Sequence, residues 1–368
     1  MKMKFRVQYL IVLTTILFLS ILSCEKGGIS ENQAQIEYSR ADQLRNLFNN
    51  GIKPLHEEFI IETEGLSENA RAFKQNPSLE NFRSLQNDWK TTANIWKRCE
   101  TYDIGDINDS FIHTRINTWP TNSENIETNI EGGEPINLAF INSIGSSSKG
   151  IAAMEYLLFK SDANTTILEL QSNPRRTDYI VALSKDFKNL AVEINSLWTN
   201  YGPSFTVAIQ SNLEGGQNQT INAMVTLIEE IIISKLGRPL GDANGGTIDA
   251  QEFEAYHSDL SLEMIKNNIE ELKKVFTGSY SQNTRRIGFD DYLTNLSNII
   301  LSDKIKNSFE KIEDHMASFN QGLNASLQSD PEKVRTLQTL SNELLILIKV
   351  DMASFIGSTI TFNDNDGD

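Results

Sequence analysis

Residues 82–96 read FRSLQNDWKTTANIW, and this stretch decides the class of fold. Phe82, Leu85, Trp89, Ala93 and Trp96 recur at spacings of three and four residues. This spacing places all five side chains on one face of an α-helix and leaves the polar residues on the other face. The stretch therefore predicts an amphipathic helix that packs against a hydrophobic core.

The same helical spacing returns in the second half of the chain. Alternating apolar and polar residues, which indicate β-strands, are scarce, so we predict an all-α fold built from helical bundles. The apolar run Leu344–Ile348 predicts a central helix that is buried on all sides. Residues 103–118 and 120–148 are polar and rich in Asn, Gly and Ser, which predicts long loops. The two further apolar stripes are Ile221, Met224, Val225, Ile228, Ile231 and Ile232, and Leu262, Ile265, Ile269, Leu272 and Phe276.

The length of the chain predicts more than one domain. The sequence has 368 residues, and a single hydrophobic core rarely grows that large. We therefore expect two helical-bundle domains, residues 36–205 and residues 206–368, the second of which ends in an acidic tail. Their similar size is compatible with a diverged duplication. The boundary follows Gly202-Pro203, which interrupts a helical pattern.

The first 24 residues resemble a bacterial lipoprotein signal. A basic start precedes an apolar run that is too short to span a bilayer of about 30 Å. The run ends in Ile-Leu-Ser-Cys24, which is similar to a lipobox with Cys24 as the acylated residue. We predict a signal peptide at residues 1–23 and a tether at residues 24–35, with an ordinary secretory signal as the alternative. Glu25 is not the Asp that retains some lipoproteins at the inner membrane, so we expect the outer membrane.

Charge and cysteine content exclude several classes of function. The formal net charge of −16 repels polyanions, so we expect no nucleic-acid partner. Once Cys24 is acylated, only Cys99 remains, which excludes a disulfide framework and a cysteine-based zinc site. None of the four His residues stands at HExxH, HxxH or HxxE spacing, which would let two ligands on one helical face bind one ion.

One carboxylate stands alone in an apolar segment. Residues 150–159 read GIAAMEYLLF, and Glu155 is the charged residue among them. Burial of an unpaired charge is unfavourable, so this side chain needs a cation, a bound ion or a proton. Two interpretations stay open at this stage. Glu155 is either a structural residue paired with an arginine from another helix or a functional carboxylate, since perturbed groups cluster at sites.

The segment 150–159 resembles the GxHxxE motif of the imelysin-like proteins, cell-envelope proteins once grouped with metallopeptidases and often linked to iron uptake. Gly150 and Glu155 fit the motif, whereas Ala152 stands at the position of the His. Three further segments are similar to the family, namely Arg115–Pro120 with its Trp-Pro pair, the Arg-rich helix start Arg175–Tyr179, and the C-terminal tail Ile356–Asp368.

The resemblance implies two helical-bundle domains with a site at their interface, near the motif helix. In the motif, His and Glu project from one helical face, but Ala152 leaves that face with a single carboxylate. Glu155 alone does not complete a catalytic zinc site, which needs three protein ligands, so peptidase activity is disfavoured. The candidate pocket residues are Gly150, Ala152, Arg115, Trp119, Arg175 and Arg176.

Other groups are candidates to accompany Glu155. His113 would restore an imidazole from an adjacent loop. The tail carboxylates Asp364, Asp366 and Asp368 offer hard oxygen ligands of the kind that bind calcium or ferric iron. Alternatively, one of the three arginines named above neutralises Glu155 through a bidentate ion pair and gives it a structural role.

Three classes of function follow from these observations. We favour a non-catalytic lipoprotein that is anchored to the membrane through Cys24 and binds a ligand or metal. Its expected partners are iron-uptake components. Iron or calcium is the expected metal, and zinc is less expected. A metallopeptidase is the second class, which Ala152 disfavours. An interaction scaffold in an envelope complex is the third, and it differs from the first in having no ion or ligand near Glu155.

Overall fold

The apolar stripe of residues 82–96 forms a long helix, as predicted. In the computed structural model, which describes residues 38–280 and 286–361, this helix runs from Leu79 to Cys99. Its five stripe residues are at most 2% exposed. Ser78 caps the helix, because its hydroxyl accepts a hydrogen bond from the backbone N–H of Asn81.

The all-α prediction is confirmed, since most of the described residues are helical and no β-strand occurs among them. Three π-helical segments extend neighbouring helices, Leu47–Ile52, Ile231–Gly237 and Leu347–Met352, and short 3-10 turns lie at Glu100–Tyr102, Ser146–Ser148 and Ala250–Glu252. The α-helices are α1 (Arg40–Asn46), α2 (Lys53–Gln75), α3 (Leu79–Cys99), α4 (Asp106–Asp109), α5 (Ile112–Ile116), α6 (Ser123–Glu131), α7 (Leu138–Ser143), α8 (Gly150–Phe159), α9 (Ala163–Ser172), α10 (Pro174–Phe205), α11 (Gly216–Glu230), α12 (Ser261–Thr277), α13 (Phe289–Asn295), α14 (Ile299–Ala317), α15 (Leu323–Ser329), α16 (Pro331–Ile346) and α17 (Ala353–Ile356).

The core is built around α2 and α3. Helix α2 packs along both α3 and α10, and α3 also packs against α12 from the second half of the chain. The indole N–H of Trp89 in α3 donates a hydrogen bond of 3.2 Å to the carbonyl of Ile151, which joins α3 to the motif helix α8. In the second half, α16 packs against α11, α14 and the π-helical segment Ile231–Gly237.

Three local predictions were wrong. Leu344 and Ile348 are fully buried, but Ile346 is 48% exposed, so this helix faces the core on one side only. A short apolar run does not show how many sides of a helix are covered. The polar segments 103–118 and 120–148 contain the short helices α4 to α7 and are not long loops. Helix α10 continues through Gly202-Pro203 and ends at Phe205, so the helical break comes two residues after Pro203 and not at it.

The predicted domain boundary coincides with the end of α10. Residues on both sides of it belong to one compact unit that begins at Tyr38, and α3 packs directly on α12 across it. The division into residues 36–205 and 206–368, and the diverged duplication, stay predictions. The predicted signal peptide and tether, with Cys24, lie outside the described residues. Among the residues that are described, no helix is long and apolar enough to cross a membrane.

Candidate functional site

The motif helix α8 begins at Gly150 because a side chain does not fit there. Gly150 has a φ of +83°, a left-handed conformation that favours glycine. A Cβ atom at this position would lie 2.5 Å from the carbonyl oxygen of Ile116 in α5. The motif helix therefore packs closely on α5, and all its residues except Tyr156 and Phe159 are buried.

Glu155 is buried, as predicted, and its hydrogen-bond partner is a serine from the distant half of the chain. The residue is 4% exposed. Its Oε1 atom accepts two hydrogen bonds of 2.8 Å from Ser258, one from the backbone N–H and one from the hydroxyl. Glu155 thus fastens the motif helix to the segment 253–260, which we call the 253–260 loop.

The backbone of the 253–260 loop is held in an unusual conformation. Ala255 and Asp259 have φ values of 57° and 52°, in a left-handed region that residues with a side chain rarely adopt. Such conformations persist where surrounding contacts hold them. One such contact is the hydrogen bond of 2.8 Å that Asn324 Nδ2 donates to the carbonyl of Tyr256. The two left-handed residues flank the turn that presents Ser258 to the motif helix.

Burial controls the protonation of Glu155. Loss of hydration disfavours the charged form and raises the pKa of Glu155 to about 7, and the nearby Glu254 carboxylate contributes in the same direction. The hydrogen bonds from Ser258 oppose this shift because they favour the charged carboxylate. The Glu155 carboxyl group therefore changes its charge near neutral pH.

A cluster of four charged side chains lies buried beside the 253–260 loop, and we call it the ion cluster: Lys97, Glu100, Lys235 and Glu254. The two lysines are at most 1% exposed. Lys97 Nζ contacts Glu254 and lies 2.5 Å from Glu100 Oε1. Lys235 Nζ lies 3.1 Å from Glu100 Oε2 and 3.3 Å from Glu254 Oε2. Each cation therefore bridges both carboxylates.

Hydrogen bonds and charges act on the carboxylates of this cluster. Asn268 donates to Glu100 over 3.1 Å, and Asn117 donates to Glu254 over 2.7 Å. Burial acts to raise the pKa of Glu100, but Lys235 and Lys97 outweigh it and lower that pKa to about 2. Glu100 consequently stays ionised at every physiological pH.

A cavity of about 510 Å³ opens next to the ion cluster. Residues from α3, α4, α5 and the turns between them form one wall, and residues from α11 form the other. This volume is typical of a pocket for a small molecule. The cavity therefore lies where the regions on either side of residue 205 face each other.

The charged groups that line the cavity are almost all acidic. Four carboxylates and one imidazole line it, from Glu100, Asp103, Asp109, Glu230 and His113. No lysine or arginine of the described part of the chain lines it. His113 Nδ1 lies 3.3 Å from Asp103 Oδ2. Burial raises the pKa of Glu230, and it raises the pKa of Asp103 despite the opposing influence of His113. A cation in the cavity would favour the ionised form of both carboxyl groups.

The three arginines named as partners of Glu155 bind elsewhere, so this alternative is wrong. Arg115 forms a bidentate pair with Glu193, with distances of 2.7 and 3.0 Å. Arg176 pairs with Glu127 over 2.5 and 2.8 Å. Arg175 donates to the backbone carbonyls of residues 129 and 130. These arginines fix the segments around the motif helix.

The other predicted site residues lie on several elements. His113 lies on the wall of the cavity, beside Asp103. Trp119 is half-buried and has the guanidinium of Arg238 over its ring, 5.5 Å from the centroid. Ala152 is 8% exposed within the motif helix. The tail residues Asp364, Asp366 and Asp368 lie outside the described residues.

Sequence reasoning missed the ion cluster and Ser258. The argument used for Glu155 also applies to Lys235, since four of the other five residues in the segment 231–236 are apolar. It applies less clearly to Glu254, which stands between Phe253 and Ala255. No signal pointed to Ser258, since a lone serine in a polar segment does not predict a contact with a residue about 100 positions away in the chain.

The residues around Glu155 do not fit a resident metal ion. Ala152 contributes a methyl group where the motif has an imidazole, and Ser258 already donates two hydrogen bonds to Glu155. Within residues 38–280 and 286–361, no group of three or more His, Cys, Asp or Glu side chains is arranged to hold a metal. A structural or catalytic metal site needs such a set of donors.

Two kinds of solved structure resemble this fold. An imelysin-like protein from Psychrobacter arcticus shares 16% sequence identity with a TM-score of 0.73, over 92% of this chain and 100% of its own. An iron-regulated protein A precursor from Parabacteroides distasonis shares 16% identity with a TM-score of 0.74, over 89% of this chain and 97% of its own. At this level of identity the likeness shows the fold.

The sequence itself identifies the family. A search of curated protein sequences found no match. The family model of imelysin matches residues 52–349, which is well over half of the chain and includes the motif helix, the ion cluster and most of the cavity. The chain therefore belongs to the imelysin family.

Proposed function

We propose that this protein is a non-catalytic binding protein of the cell envelope that serves iron or metal acquisition. In this proposal Cys24 anchors it to the outer membrane, and the acidic cavity holds its ligand. Membership of the imelysin family and the likeness to a protein named as iron-regulated support the link to iron. The lipobox-like sequence before Cys24 supports the anchor.

The acidic lining of the cavity is the observation that carries this proposal. Carboxylates of one sign in a partly enclosed cavity produce a negative potential that attracts cations. Glu230 and Asp103 have raised pKa values because burial leaves their charges incompletely compensated, and a bound cation would compensate them. The ligand therefore carries positive charge.

The size of the cavity defines the ligand further. One water-sized sphere needs roughly 10–15 Å³, whereas this cavity measures about 510 Å³. A bare ion would leave most of that space to water. We therefore infer that the cargo is a hydrated metal ion or a small cationic metal complex, held by the carboxylates through water or ligand atoms rather than by direct coordination from several side chains.

A peptidase mechanism finds no support in the residues around the motif helix. Glu155 accepts hydrogen bonds from Ser258, and Ala152 offers no metal ligand, so the helix does not supply two of the three protein ligands that a catalytic zinc needs. The structural role of Glu155 is also what the scaffold alternative predicts. The two remaining functions differ in whether the cavity binds a cation.

A metal titration with a matched control distinguishes these functions. The lipidated chain in detergent micelles is titrated with Fe²⁺, Ca²⁺ and Zn²⁺, beside the variant Asp103→Asn/Glu230→Gln, which keeps the shapes of both side chains. The control Glu310→Gln/Asp314→Asn removes the same two charges from exposed positions. We expect the wild type and the control to bind and the cavity variant to bind at least about tenfold more weakly.

Two other outcomes would contradict the proposal. If none of the three ions binds to the wild type, the cation-binding function fails and the scaffold function replaces it. If a metal binds equally to all three proteins, the binding site lies outside the cavity.

A further inference from the structure

Three segments meet where the described chain begins. The ring of Tyr38 stacks on Tyr292 of α13, with centroids 4.5 Å apart. The guanidinium of Arg40 donates to the hydroxyl of Tyr292 over 2.6 Å and to the carbonyl of Ile209 over 3.1 Å. The start of α1, the segment after α10 and helix α13 are thus joined at one end of the molecule.

Exposed apolar side chains are concentrated at this junction. Leu296 lies one helical turn beyond Tyr292, and its N–H bonds to the carbonyl of Tyr292 over 3.0 Å. Of sixteen large apolar side chains that are well exposed in the described residues, five lie in the short segments 207–209 and 296–300. Exposed apolar side chains that are grouped in this way mark an interaction site, whereas scattered residues do not. We call these five residues the apolar end surface: Val207, Ile209, Leu296, Ile299 and Ile300.

The length of chain before Tyr38 indicates what covers this surface. About 14 residues separate Cys24 from Tyr38, and a chain of that length spans at most about 50 Å. The nearly continuous helical run from Arg40 to Gln75 is roughly 50 Å long, so it leads away from the junction to the far end of α2. A lipid anchor on Cys24 therefore gives the bilayer its highest effective concentration at the apolar end surface.

We propose that the apolar end surface lies against the lipid bilayer to which Cys24 anchors the chain. This inference rests on the anchor in the proposed function and adds a second, non-covalent contact with the membrane. The net charge of −16 disfavours attraction to anionic lipids, so the contact is an apolar one with zwitterionic lipids.

The orientation has a consequence for the cavity. Leu213 belongs to the segment that follows Val207 and Ile209, and it lines the cavity. The rim of the cavity is therefore close to the surface that meets the membrane, where a ligand delivered by a membrane component would enter.

Fluorescence quenching by lipids tests this orientation. The lipidated full-length chain is reconstituted in phosphatidylcholine vesicles that contain nitroxide-labelled lipid, with a fluorophore on Ile300→Cys, Ile209→Cys or Leu168→Cys. Cys99 is buried, and burial raises its pKa well above the ordinary value, so the introduced thiol is the one that reacts. Leu168 is the matched control because its exposure of 65% is close to the 69% of Ile300. It lies far from the junction, since Gln171 in the same helix donates a hydrogen bond to the carbonyl of Pro77, beyond the far end of α2.

We expect strong quenching at positions 300 and 209 and little at position 168. If the protein floats with the vesicles but quenching is absent or equal at all three positions, the membrane contact is overturned while the anchor stays intact. A chain that does not float with the vesicles would overturn the anchor and this inference together. A dimer in mild detergent that Ile300→Ser dissociates would assign the surface to a second copy of the chain instead.

Discussion

Glu155 and Glu100 are both buried carboxylates, yet their protonation behaviour is opposite. The pKa of Glu155 is raised to about 7, whereas that of Glu100 is lowered to about 2. Burial acts in the same direction on both. The difference is that Glu100 shares two lysine cations, while Glu155 has only the hydrogen bonds of neutral groups in the 253–260 loop.

This comparison shows that the carboxylate of the family motif and the ionised carboxylate that lines the cavity are different residues. Glu155 carries the motif, but it holds the motif helix to the 253–260 loop. Glu100, which no motif marks, keeps its charge and lines the cavity. Glu254 connects the two, because it belongs to that loop and also binds Lys97 and Lys235.

Removing a shared cation should have the largest effect on stability. Lys235→Met leaves Glu100 and Glu254 with one lysine between them, and breaking a buried ion pair on one side costs about 3–5 kcal/mol. We expect the free energy of unfolding in urea to fall by that amount. The control Lys266→Met removes an exposed lysine and should change it by less than about 0.5 kcal/mol. Equal losses in both variants would contradict the account of the ion cluster.

The second prediction concerns the pH dependence that Glu155 causes. Its pKa is about 7 in the folded protein and 4.5 in the unfolded chain. Between pH 4.5 and pH 7 the folded protein therefore binds a proton that the unfolded chain has released. Stability due to this group is complete below about pH 4.5 and is lost as the pH rises through 7, by about 3 kcal/mol in total.

Unfolding free energies at pH 5 and pH 8 test this prediction. Glu155→Gln should lack this part of the decrease, whereas the exposed control Glu310→Gln should keep the wild-type pH dependence. The same pH dependence in the wild type and in Glu155→Gln would show that Glu155 ionises normally.

A smaller effect is expected from the partner of Glu155. Ser258→Ala removes the hydroxyl donor but keeps the backbone N–H, so about 1 kcal/mol of stability should be lost at pH 8 and less at pH 5. The loss is larger at high pH because the hydroxyl stabilises the ionised carboxylate. An equal loss at both pH values would mean that the hydroxyl does not act on the charge of Glu155.

Helical periodicity was sufficient to predict the class of fold. The stripe from Phe82 to Trp96 is buried throughout, because spacings of three and four residues place side chains on one helical face. The run Leu344–Ile348 carried no such pattern, and Ile346 proved to be exposed. The short helices between residues 103 and 148 were missed because their polar composition is equally typical of loops.

The site was predictable only in part. The burial of Glu155 followed from its apolar neighbours, but its partner did not, because Ser258 reaches it through the tertiary fold. His113 was named as an imidazole near the motif helix, and the fold places it on the wall of the cavity, in the helix α5 that packs on the motif helix. The ion cluster needs α3, the 253–260 loop and the π-helical segment Ile231–Gly237 to come together, and no local pattern predicts that.

The most direct test of the central claim compares the cavity with the motif carboxylate in a single binding measurement. Calcium and ferrous iron are titrated into the lipidated wild type, Asp103→Asn/Glu230→Gln and Glu155→Gln in detergent micelles. We expect binding to be at least about tenfold weaker in the cavity variant and within about threefold of wild type in Glu155→Gln. Loss of binding in Glu155→Gln, with wild-type affinity in the cavity variant, would contradict this expectation and place the ligand at the motif helix.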